Sequence, residues 1–145
     1  MTNYYDKKYL QIFSPTWTEY LWDIIAIIKN NDKNISKVEI KKHTLNYIKL
    51  MLKNNLIKVG NEWENKKLIF WDLSNEMILK KIDTMWFDGA NYPDFLNMVW
   101  FGYQEWYIEA LKKIGYGKEK ILWTDFVDKN IGDLEKWIEG NRPKE

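Results

Sequence analysis

Residues 95–116 read FLNMVWFGYQEWYIEALKKIGY. Leu96, Val99, Trp100, Tyr103, Tyr107, Ala110, Leu111 and Ile114 recur at the i, i+3, i+4, i+7 spacing of one helix face. The spacing predicts one long helix, with Pro93 in its first turn and Gly115 and Gly117 closing it. Trp100 and Tyr103 are expected in its buried stripe. Met98, Phe101, Trp106 and Ile108 fall off that stripe. Such a helix is apolar on several sides, either because neighbours enclose it or because part of it faces a partner. Gly102 in its middle costs about 1 kcal/mol against Ala. That implies close packing or room for an aromatic ring.

Upstream lies DTMWFDGANYPD, Asp83–Asp94, an aromatic loop with Gly89 and Pro93 as breakers. Trp86 and Phe87 are the rings it would present, flanked by Asp83, Asp88 and Asp94. Further upstream, Ser14-Pro15 marks a helix start, and Leu21, Ile24, Ile25 and Ile28 follow at helical spacing. Asn30–Asn34 breaks that helix. Ser36 with Glu39 forms a capping-box pattern for a second helix, and Thr44 caps a third with Leu45, Ile48 and Leu52 inward. The strand formers of Leu56–Val59 and Lys67–Asp72 flank GNEWENK as a hairpin. Ser74 opens a helix to about Ile82, and two short helices are expected at Thr124–Asn130 and Gly132–Glu139. The predicted class is mainly α with a small β-hairpin, α+β, in a single domain spanning 1–145. Residues 1–73 would hold the early helices and the hairpin, and 74–145 a helical part.

Composition bounds the function classes. With 46% hydrophobic and 30% charged residues, the chain sorts with globular rather than disordered sequences. Absence of cysteine excludes a disulfide framework and Cys-based zinc sites, and fits a cytoplasmic location. The N-terminus lacks signal-peptide character, and the longest apolar run, Ile24–Ile28, is far too short to span a membrane. Residues 1–68 hold twelve lysines against seven acids, about +5; residues 69–145 hold ten basic residues against fourteen acids, about −4. Such asymmetry steers partners.

No residue set asks for catalysis, a metal or a cofactor. His43 is the only histidine and has no companion ligand, so a turn position between two helices is its expected role. Glu105 and Glu109 share a helix face with Lys112 and Lys113, which predicts a solvated ion-paired face. No phosphate-binding glycine motif occurs, and no small-molecule or membrane partner is expected.

Helix, helix, helix, hairpin is the order of a winged-helix unit, which residues 1–73 resemble. That resemblance implies DNA binding, with Asn46, Lys49 and Lys53 on the third helix reaching the duplex. Residues 35–67 hold eight lysines against three acids, which suits phosphates. Base reading is weak, because the one arginine, Arg142, lies in the tail.

The run YPDFLNMVWFGYQEWYIEALKKIGY, in a short Trp-rich chain without catalytic residues, is similar to small bacterial immunity proteins of contact-dependent growth inhibition and related polymorphic toxin systems. The resemblance covers the C-terminal half and matches no motif residue by residue. It implies a cytoplasmic, non-enzymatic protein that binds one cognate toxin domain and neutralises it. A nuclease toxin would carry a basic surface, which the acids of the C-terminal half would complement. The partner-binding residues expected on this reading are Trp86, Phe87, Asp88, Asp94, Phe101, Trp106, Asp125 and Asp128.

Overall fold

The computed structural model describes residues 3–144. Seven α-helices, one 3-10 helix and a three-stranded antiparallel sheet are present among the described residues. The α+β class is thus observed. The chain opens with a 3-10 helix, Lys7–Phe13, which the sequence did not signal. Ser14 ends this element, donating its N–H to Gln11 O, and does not start a helix. The first α-helix, α1 (Leu21–Asn31), begins seven residues later. Asp23 closes its N-terminus by accepting from the backbone N–H groups of Glu19 and Tyr20, at 2.9 and 3.2 Å.

Ser36 does cap the next helix, accepting from Glu39 N. That helix, α2, runs unbroken over Lys37–Lys53, where two helices were expected. Ile40, Thr44, Tyr47, Ile48 and Met51 form one continuous buried stripe along it. Thr44 therefore points into the core, and His43 sits mid-helix, not in a turn. Neutral imidazole is favoured there: burial lowers the pKa of His43, against a raising influence from Glu39.

Strands β1 (Ile57–Glu64) and β2 (Lys67–Phe70) form a hairpin, but Gly60–Glu64, expected in its turn, extend β1 instead, because they pair with β2. Asn65 and Lys66 join them with φ of 50° and 65°, the left-handed pair of a two-residue hairpin turn. Helix α3 (Asn75–Met85) starts at the predicted Ser74 cap.

The stretch 95–116 departs from the single helix. A short turn of helix, α4 (Tyr92–Phe95), gives way to strand β3 (Trp100–Tyr103), then to α5 (Glu105–Lys113). β3 pairs with β1, Val59 opposite Phe101 and Gly60 opposite Trp100, in the order β2-β1-β3. The second half is consequently not wholly helical, since it supplies a strand to the sheet of the first. The alternation is that of a half-buried strand: Val99 and Phe101 face the core, while Trp100 and Gly102 face outward. Trp100 is accordingly half-buried, not a core residue. The tail adds α6 (Trp123–Asn130) and α7 (Leu134–Asn141), near the expected positions.

One core joins both halves, from Tyr9 to Ile138. Several aromatic side chains fasten it through their polar ends. Tyr107 donates to Phe13 O at 2.7 Å, Trp123 Nε1 to Leu10 O at 2.8 Å, and Tyr47 to Tyr4 O at 2.8 Å. The N-terminal segment is thus pinned by rings whose bodies fill the core and whose tips satisfy its carbonyls. No helix among the described residues is long and apolar enough to cross a membrane.

Candidate functional site

Two surfaces gather exposed aromatic side chains. The first is the outer face of the sheet. On β1 and β3, Lys58 lies opposite Gly102 and Gly60 opposite Trp100. Neither glycine carries a side chain that would fill the face, and neighbouring rings lie over it. A Cβ on Gly102 would sit 2.5 Å from the ring of Phe70, so that ring occupies the space the glycine leaves. A Cβ on Gly60 would run into the carbonyl oxygen of Ile69, where β1 carries an irregularity between Gly60 and Glu62. Trp100 is the centre of the face: Tyr20 packs against it at 4.8 Å and Trp63 meets it edge-on at 5.5 Å. Lys58 Nζ lies 5.3 Å from the Phe70 centroid. Trp63 is 53% exposed and Phe70 39%, which leaves large apolar area in water.

The second surface is a groove of about 560 Å³ between α1, the start of α2 and the loop 86–93. Its floor is apolar: Ile25, Ile40, Trp86, Ala90 and Phe95 are all buried. Exposed Val38, Phe87 and Tyr92 stand at its sides. Trp22 meets Tyr92 edge-on at 4.8 Å, and Trp86 meets Phe95 at 4.9 Å. Lys41 fixes the loop to α2. Its Nζ donates to Trp86 O at 3.0 Å and Asp83 O at 3.2 Å, and pairs with Asp83 Oδ1 at 2.9 Å. An ammonium at the C-terminus of α3 satisfies carbonyls the helix leaves open.

The expected partner residues divide. Phe87 and Asp88 are exposed at the groove. Trp86 is 8% exposed and Phe101 7%, so both are core side chains and not available as anchors. Trp106 is half-buried and committed: its Nε1 donates to the carbonyl of Asn55, the left-handed residue after α2. Asp94 is exposed but accepts from Asn91 N at 2.8 Å, capping α4. Asp125 is exposed on α6, whereas Asp128 pairs with Lys7 at 3.2 Å. α6 packs on the 3-10 helix while α4 packs on α1, so the acids of α6 and those of the loop belong to elements with different main neighbours. On α2, Lys49 and Lys53 are exposed and Asn46 is half-buried.

The sequence missed Tyr20, Trp63, Phe70 and Trp100 as a cluster, because reading 100–103 as helix hid the strand that assembles them. It also missed Trp22, Lys29, Lys37 and Val38, which only the fold brings to the loop. Among the described residues, no group of three or more His, Asp or Glu side chains is placed to hold a metal ion. Compared with known proteins, the chain matches no family model, no curated sequence and no solved structure.

Proposed function

We propose that this chain is a non-enzymatic protein-binding protein, and most concretely an immunity protein that neutralises a cognate toxin domain in the cytoplasm. The observation that carries the reading is the outer sheet face, where Tyr20, Trp63, Phe70 and Trp100 form one aromatic patch. Trp and Tyr dominate the energetics of protein interfaces, because they bury large rigid area at little entropic cost. Of the charged strand residues, Lys58 opposite Gly102 shares the face with Trp100, whereas Glu62, Glu64 and Lys67 alternate to the other face, so the patch carries no basic stripe. A largely aromatic face with one strand lysine suits a protein better than a polyanion. Exposed Asp88 and Asp125 would steer a basic toxin toward the chain, raising the association rate more than the final affinity.

The winged-helix reading draws on the hairpin and on exposed Lys49 and Lys53. It has less support. Of the α2 residues meant for the duplex, Asn46 is half-buried, and the buried stripe of α2 holds the helix in the core.

Co-expression with the product of the adjacent reading frame tests the proposal. The expected result is co-purification of one domain of that product, and protection of cells against it. Trp63→Arg should abolish both while melting like the parent protein. A neighbour that neither co-purifies nor is neutralised would contradict the immunity reading.

A further inference from the structure

The groove beside the loop is unlike the sheet face in shape and in charge, and it calls for a different occupant. We propose that it binds a small molecule that joins an apolar ring body to a single anionic group. Its volume of about 560 Å³ lies inside the range in which proteins enclose drug-sized ligands. The floor offers only hydrocarbon and aromatic surface, from Ile25, Ile40, Trp86, Ala90 and Phe95. A flat apolar body fits between such rings and the exposed side chains of Phe87 and Tyr92.

The walls supply the charge. Lys29, Lys37 and Lys41 line the groove, and Asp88 is the one acid among the described lining residues. Lys41 is already matched by Asp83 and two carbonyls. Lys29 and Lys37 make no ion pair among the described residues. Lys29 is held at the wall, with Nζ 5.5 Å from the Trp22 ring centroid. Two unpaired ammonium groups beside an apolar floor favour an anion over a neutral or cationic guest, because a partly dehydrated charge pair is stronger than one in bulk water. The lining comes from helices and the loop, with no strand edge to hold the main chain of an extended peptide. That points to a free small molecule over a peptide segment.

A matched pair of probes tests this on the intact chain. 8-Anilinonaphthalene-1-sulfonate and N-phenyl-1-naphthylamine share a ring body, and only the first carries an anion. The sulfonate should bind at one site at least about tenfold more tightly, a difference of about 1.4 kcal/mol. It should shift the indole N–H resonances of Trp22 and Trp86, with that of Trp63 unmoved. Lys29→Glu combined with Lys37→Glu changes two exposed side chains, should leave the fold intact, and should erase the preference. Equal binding of the two probes by the parent protein overturns the proposal. So does a sulfonate affinity that ignores the double exchange, or a shift at Trp63 in place of Trp22. Displacement of the sulfonate by a blocked Asp-Phe-Asp peptide at equal concentration would also overturn it, giving the groove to a protein partner.

Discussion

The outer sheet face and the loop groove both collect aromatic rings, yet they are built in opposite ways. On the sheet face Gly102 leaves space that the Phe70 ring takes, and that ring, like Trp63, remains exposed to water. The groove is hollow because a loop, clamped by Lys41, stands away from α1 and α2 over a buried floor. Trp63 and Trp86 show the difference most plainly, one 53% exposed and the other 8%. The same residue type is left in water in one place and packed into the core in the other. Residue type alone therefore cannot assign a role; the backbone beneath it must be known.

Substitutions at the two surfaces sharpen the contrast. The largest stability loss is expected at Trp86→Ala, about 3–5 kcal/mol, because a buried ring leaves a cavity against Phe95. Urea denaturation measures it, and a loss below 1 kcal/mol would remove Trp86 from the core. Next comes Gly60→Ala. Its new methyl meets the Ile69 backbone, which can move only by disturbing the hairpin, so about 1–3 kcal/mol is expected. Gly102→Ala should cost less than Gly60→Ala in the same assay, since the atoms it meets belong to the half-exposed Phe70 ring, which can swing aside. The reverse order would mean that Phe70 is held more firmly than its exposure indicates. Trp63→Ser should change stability by no more than about 0.5 kcal/mol.

A pH dependence separates the aromatic pins of the core from both surfaces. Burial pushes the phenols of Tyr103 and Tyr107 well above their ordinary range, and each donates to a backbone carbonyl. In the unfolded chain these groups titrate near pH 10. Their contribution is therefore complete below about pH 10 and is lost as pH rises above it, because the unfolded state releases protons first. Stability measured between pH 9 and 11 should fall, and Tyr107→Phe should fall less steeply. Parallel slopes would show that Tyr107 ionises freely in the folded protein.

Much of the fold was legible where a signal was local. Ser36 and Ser74 cap the helices they were expected to cap, the two tail helices lie close to their predicted positions, and a hairpin forms in the expected region with a two-residue turn in place of the seven-residue one. Three features were not legible. Thr44 looked like a cap, but a continuous buried stripe from Ile40 to Met51 overrides a capping preference worth only about 1 kcal/mol. Residues 95–116 satisfy a helical period and, over Val99–Tyr103, a strand period as well. The free edge of β1 decides between them, and that edge is a tertiary feature. The 3-10 helix is capped by Asp6 but has no helical period to mark it, and its place depends on Trp123 and Tyr107 reaching back from later in the chain. The site followed the same division. Phe87 and Asp88 were visible as loop residues, whereas the cluster around Trp100 needed β3 to exist.

The most direct test is a calorimetric titration of the partner domain into the parent protein and into Trp63→Arg, a variant that should fold and melt like the parent. The predicted result is a loss of 2 kcal/mol or more in binding free energy, about the threshold of an interface hot spot. Unchanged affinity in the folded variant would contradict the account, because the exposed sheet face would then not be where the partner binds.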